Sequence, residues 1–212
     1  MQAERAARRS RAEGAARQRS RRCAWAVAGR AVRLVGALPS YAKLAWWGLA
    51  APRLSERLPL LVVQAVILTS EGVLLALRGD LRGWELPGGA PLPGEADEAA
   101  LCREVREETG LELAVRRHVG DYLRSGFRPH TARVFLCERV GGQLQPGDET
   151  IRLRFFDAAA PPATLFPWYR APLADALAGG PPVRRHEHQG LRAIWAGMRI
   201  DLRMRASEGE AG

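Results

Sequence analysis

A chain of 212 residues, 47% hydrophobic and 26% charged, has the make-up of a folded protein with room for one domain and its extensions, which excludes a wholly disordered or collagen-like chain. No stretch approaches the roughly 20 uninterrupted apolar residues that span a bilayer, so a polytopic membrane protein is excluded too. The net charge of +9 is uneven: residues 1–22 carry eight arginines against Glu4 and Glu13, while the rest carries 24 basic and 21 acidic residues, a net of +3.

Residues 1–22, rich in Arg, Ala and Ser and without an apolar period, read as a disordered tail. A secretory signal would need an apolar run that Arg30 and Arg33 interrupt; a transit peptide fits the composition without being required by it. Over residues 23–57, Trp25, Val27, Leu34 and Leu38, then Leu44, Trp46, Trp47 and Leu49, lie among Arg30, Arg33 and Lys43. That spacing predicts two short basic amphipathic helices divided near Pro39-Ser40. Their apolar face has two destinations, the domain that follows or peripheral contact with an anionic membrane.

From Leu60 the pattern turns to strands. Leu60–Leu68 is a near-continuous apolar run, Thr69-Ser70-Glu71-Gly72 makes a four-residue loop, and Val73–Arg78 returns as the second arm of a hairpin. A helix is predicted over Glu95–Glu108, strands over Leu113–Tyr122, Thr131–Val140 and Ile151–Phe156, and a short helix over Ala171–Leu177. Residues 183–205 suit a terminal strand or an amphipathic helix, and the pattern does not choose. His186-Glu187-His188, in a polar stretch with no third ligand nearby, reads as surface. Strands and helices do not alternate regularly, so the class is α+β with a mixed sheet. The divisions are a tail (1–22), a helical extension (23–57), a main domain (58–180) and a C-terminal extension (181–212). Cys23, Cys102 and Cys137 are too scattered for a disulfide framework and suit a reducing, cytoplasmic setting.

The informative stretch runs from Trp84 to Leu111. Pro87, Gly88 and Gly89 permit tight turns before the helix, and Gly110 stands where a glycine ends one. At about 100° per residue, Glu104, Glu107 and Glu108 fall within about a 100° arc of one helix face, beside the burying arc of Leu101 and Val105. Neighbouring carboxylates repel, and Arg103 offsets only part of that repulsion. A hard divalent cation offsets it fully, and oxygen-only ligands favour Mg²⁺ or Mn²⁺.

The spacing of Gly89, Glu95, Arg103-Glu104, Glu107-Glu108 and Gly110-Leu111 resembles the Nudix box, the signature of the Nudix hydrolases, over Gly89–Leu111 without a departure. The resemblance implies an α/β/α sandwich with a mixed sheet, and hydrolysis of the P–O–P bridge in a nucleoside diphosphate linked to another moiety X. It implies Glu104, Glu107 and Glu108 as metal-binding carboxylates, with the Gly88 carbonyl as a further ligand. Gly89, Glu95, Arg103 and Gly110 match positions that brace the box. The general base is Glu104 or a carboxylate downstream; Glu149, before a predicted strand, is the downstream candidate and equally suits a turn cap. Arg78 is placed to reach a phosphate or to end its strand in solvent. Trp84, Phe127, Pro129, His130 and Trp168 are candidates to line a nucleotide pocket or to pack in the core. Two other readings stand beside this one: a pyrophosphohydrolase of RNA 5′ ends, and a non-catalytic ligand-binding module. Nucleic acid is the less favoured partner because most of the excess basic charge sits in the tail.

Overall fold

The computed structural model describes residues 60–126 and 129–207, together with the isolated Ala42. The tail expected over 1–22, the helices expected over 23–57 and the candidate Phe127 lie outside the described residues. The apolar run becomes β1 (Leu60–Thr69), which turns through Ser70-Glu71 into β2 (Gly72–Arg78). The turn has two residues and not the expected four, because Thr69 and Gly72 are themselves paired. Gly72 holds φ at +117° with its Cα pressed on the Phe156 carbonyl, where any Cβ would overlap.

Beyond that turn the two strands part. They pair only through Leu68 with Val73 and Thr69 with Gly72. The gap is filled by the next segment, whose β3 (Trp84–Glu85) pairs with β2 while β4 (Gly88–Gly89) pairs with β1. Between them Pro87 donates nothing, but its carbonyl accepts the Ala65 N–H at 2.9 Å.

Helix α1 (Asp97–Thr109) follows, starting two residues later than expected so that Glu95 stays in the preceding turn. Gly110, at φ 71°, ends it by donating its N–H to the Arg106 carbonyl at 2.9 Å. β5 (Leu111–Gly126) and β6 (His130–Gly142) form an antiparallel pair. β5 is longer than the apolar pattern indicated, because β6 on one side and β8 on the other pair its polar stretch as well. β6 runs parallel to β1, and β7 (Thr150–Phe156) takes the outer edge of β2. A 3₁₀ turn (Pro167–Tyr169) leads into α2 (Arg170–Ala178), then β8 (Val183–Gln189) and α3 (Leu191–Ser207). Residues 183–205 therefore supply both a strand and a helix. β8 pairs in parallel with β5, so the stretch after residue 180 is continuous with the same sheet.

The result is one eight-stranded mixed sheet with helices on both faces. Alternation along each strand assigns the two cores. Val63, Ala65 and Ile67 of β1, Leu74 of β2 and Phe135 and Cys137 of β6 meet Ala100, Leu101 and Val105 of α1. The intervening residues, Val66, Val73, Leu75, Leu77, Ala132 and Val134, meet Phe166, Tyr169, Leu173 and Ile200 on the other face. Among the described residues no helix is long and apolar enough to cross a membrane.

Candidate active site

Helix α1 packs by one stripe, Leu101, Val105 and Thr109, each buried. That fixes the adjoining stripe, Glu104 and Glu108, against β4 at the parting of β1 and β2. Both glycines of β4 are required by this approach. A Cβ on Gly89 would overlap the Glu104 carboxylate. Gly88 holds φ at +146° against the Val63 carbonyl and donates its N–H to Glu108 Oε2 at 2.9 Å. Glu107, expected on the same arc, is 61% exposed in its side chain and does not line the cleft.

Arg103 braces the box. Its guanidinium donates to both Glu95 oxygens at 2.9 and 2.8 Å and to Glu104 Oε1 at 2.8 Å, and reaches Glu107 at 3.5 Å and the Ala90 carbonyl at 3.3 Å. Glu95 also accepts the Leu92 N–H at 2.8 Å. The Arg103 hydrogen bonds and this N–H hold the Glu95 carboxyl down at about 2.

The cleft beside these carboxylates encloses about 490 Å³. Its floor is the sheet face bearing Val62 and Gln64 of β1, His130 of β6, Arg124 of β5 and Gln189 of β8; Trp168 and one side of α3, including Ile194 and Met198, wall it. A second carboxylate, Glu85, is buried at the end of β3, accepting from Tyr169 Oη at 3.0 Å and from Arg78 Nη1 at 3.3 Å. Burial raises the Glu85 carboxyl above its ordinary range despite Arg78. Glu108 is pushed up to about 8, chiefly by burial and then by the nearby Glu85, against the pull of the Gly88 N–H and Arg78. Arg78 itself is held by Asp80 at 2.7 and 2.9 Å and is kept charged chiefly by Glu85.

Glu149 reaches the cleft rim because the 143–149 loop is fastened to the end of α1: Gln145 N donates to the Thr109 carbonyl at 2.9 Å and Gly147 N to the Glu108 carbonyl at 3.0 Å. Its turn closes with Thr150 N on the Gly147 carbonyl at 3.2 Å, so the turn and cleft readings of Glu149 describe one position. Among the described residues no three acidic, histidine or cysteine side chains converge on one point. The oxygens of Glu104 and Glu108 beside the Gly88 main chain are the hard donor set that the cleft offers.

Gly88, Gly89, Glu104, Glu108, Glu149 and Arg78 are thus brought together, along with His130 and Trp168. Trp84 is not: it is a buried core residue, edge-on to Phe156 with ring centroids 4.8 Å apart, because its strand position faces inward. His186 and His188 are exposed, and Glu187 between them pairs with Arg124 at 3.1 Å. Sequence reasoning missed Glu85, Gln64, Arg124 and Gln189. Only Gln64 carried a signal, as a polar residue at an inward-facing place in an otherwise apolar strand.

The NUDIX domain family model matches residues 59–176. A MutT-like protein of Streptomyces ambofaciens is 35% identical over 131 residues, 61% of this chain and 84% of that protein. An ADP-ribose pyrophosphatase of Streptococcus suis superposes with a TM-score of 0.51 at 26% identity, covering 61% of this chain and all (100%) of that one. A UDP-X diphosphatase gives a TM-score of 0.53 at 26% identity, covering 65% of this chain and 73% of its own. With the box in place on α1 and the sandwich around it, the chain belongs to the Nudix hydrolase family.

Proposed function

We propose that the protein hydrolyses the pyrophosphate bridge of a nucleoside diphosphate joined to another moiety, and that it does so with a divalent metal. The observation that carries this reading is Glu108, a carboxylate buried in a cleft beside two more, Glu85 and Glu104, where burial and like charge outweigh the donors around it. Glu104 is paired with Arg103 and Glu85 with Arg78, but Glu108 has no cationic partner within hydrogen-bond reach among the described residues, and a buried carboxylate so placed fits a cation. Glu104 and Glu108, with the main chain at Gly88, would hold Mg²⁺ or Mn²⁺, and Glu107 is the exposed reserve ligand of the same helix turn. Bound there, the ion supplies neutralisation of the phosphate oxygens and a lowered pKa for water.

The chain's own groups do the rest. Arg78, fixed by Asp80 and Glu85 at the cleft wall, presents positive charge to a phosphate. Glu149, at the rim and without an ion pair among the described residues, takes the proton of the attacking water as the water oxygen bonds to phosphorus and the bridging P–O bond breaks; Glu104 is the other base within the cleft. Arg103 and Glu95 keep Glu104 in place. The names of the two similar structures, an ADP-ribose pyrophosphatase and a UDP-X diphosphatase, support a diphosphate bearing a second moiety.

The test is phosphate release, coupled to alkaline phosphatase, from ADP-ribose, nucleotide sugars, diadenosine polyphosphates and coenzyme A, with Mg²⁺ or Mn²⁺. Nucleoside triphosphates, including oxidised ones, are followed by pyrophosphate. Turnover of one compound that Glu108→Gln loses supports the reading. No turnover with either metal, or equal turnover by the variant, overturns it.

A further inference from the structure

Two carboxamides in the cleft floor have no use in the scheme above. Gln64, 4% exposed, and Gln189, 8% exposed, both line the cleft, and the Oε1 of the first and Nε2 of the second are buried without a hydrogen-bond partner. An unmet buried amide atom costs free energy, so two of them on residues that line one cavity point to a ligand.

Their places in the sheet differ. Gln64 pairs with Gly88, next to the carboxylates. Gln189 pairs with Gly126 on the far strand, beyond the row that joins Leu60, His130, Arg124 and Glu187. Counting residues along β1 and strands across the sheet separates the two by on the order of 20 Å between Cα atoms. A diphosphate alone does not bridge that distance; an extended nucleoside diphosphate does. The two ends also differ in polarity. The near end holds the acceptors Gln64 Oε1, Glu104 and Glu108 beside the Arg78–Glu85 pair. The far end holds the Gln189 donor and the guanidinium of Arg124, which is 3% exposed and locked by Glu187, the Trp168 carbonyl at 2.6 Å and His130.

We propose that the far end of the cleft is the nucleobase subsite, and that Gln189 selects an oxo-base, guanine or uracil, over adenine by donating its side-chain N–H to the ring carbonyl. The subsite rests on the reading of the cleft as a nucleoside-diphosphate site. A keto oxygen satisfies the unmet donor beside the Arg124 cation, whereas the exocyclic amine of adenine sets donor against donor. Gln64, near the phosphates, accepts a sugar hydroxyl and does not discriminate among bases.

The test is calorimetric binding of GMP, UMP and AMP to the full chain in EDTA, where no turnover is needed. GMP and UMP are expected to bind roughly tenfold tighter than AMP, the worth of one hydrogen bond plus the clash it replaces. Gln189→Leu is expected to bring the three within about twofold with an unchanged melting temperature, while Gln64→Leu weakens all three alike. Should Gln189→Leu fail to fold, Gln189→Glu, which replaces the donor by an acceptor at equal size, must abolish or reverse the preference. A wild type that binds the three equally or none at all, or a preference that survives at position 189, overturns the proposal. The two readings fail separately: selective binding without hydrolysis of any compound removes the reaction and leaves the subsite, and hydrolysis indifferent to base removes the subsite and leaves the reaction.

Discussion

The two faces of the sheet are built from the same strands and differ in what they bury. On the α1 face, Val63, Ala65, Ile67, Leu74 and Phe135 close on Ala100, Leu101 and Val105, and the buried hydroxyl of Thr109 is satisfied within the helix by the Val105 carbonyl at 2.6 Å. On the other face, alternate residues of those strands and their neighbours bury Gln64, Glu85, Arg124 and Gln189 around the cleft. The first face gains stability from area removed from water, at about 25 cal/mol per Å². The second forgoes part of that gain to keep charged and amide groups where a ligand can meet them. The carboxylates are where the two faces join. α1 is anchored in the dry core and presents Glu104 and Glu108 through the parting of β1 and β2 to the wet side.

That division predicts which substitutions separate activity from stability. The largest effect belongs to Glu108→Gln, expected to lower kcat/KM about a thousandfold in steady-state assays without lowering the melting temperature, since the neutral amide matches the protonated carboxyl that burial favours. Leu101→Ala should do the opposite: urea unfolding is expected to show a loss of about 2–5 kcal/mol, with activity per folded molecule within about twofold. A Leu101 variant inactive while fully folded would break the comparison. Gly89→Ala sits on the seam. Its Cβ pushes the Glu104 carboxylate from its place, and kcat is expected to fall roughly ten- to a hundredfold with little change in melting temperature.

Titration sharpens the contrast. The Glu108 carboxyl is raised to about 8 in the folded chain, so its contribution to stability is complete below the ordinary carboxyl range and is lost as pH rises through 8. The metal-free protein should therefore lose several degrees of melting temperature between pH 5 and about 9, and Glu108→Gln should flatten that slope. The smallest effect is expected at the solvent-exposed Arg116–Glu138 pair, where Arg116→Ala should cost under about 0.5 kcal/mol by denaturant titration.

The box was legible because its constraints are local: a glycine that must clear a carboxylate, an arginine that must reach three of them, and a helix stripe that must bury. The two strands of the hairpin were legible from apolar runs, though the turn was not, since register and not composition decides whether Thr69 and Gly72 pair. Glu85 and Gln189 were hidden for a different reason. Glu85 stands among turn residues and Gln189 closes a run of Arg, His and Glu, so neither contrasts with its neighbours. Their burial comes from α3 and the 3₁₀ turn, elements far away in the chain: Tyr169 bonds Glu85, and Gln189 is enclosed just before α3 begins. Trp84 shows the converse, a residue conspicuous by type whose strand position sends it to the core.

Helix α3 sets the order in which the molecule becomes competent. Asp201, buried on α3, accepts the Arg82 N–H at 2.8 Å, and Arg205 donates to the Asp80 carbonyl at 3.0 Å, tying α3 to the loop beside Arg78. During synthesis the box emerges about 75 residues, several seconds of elongation, before β8 and α3. A nascent chain therefore carries its acidic helix well before it has a walled cleft, and the carboxylates of that helix stay exposed to bulk water until α3 docks. Competence waits for β8 and α3, so chains ending before Gln189 should be inert even where the box is intact.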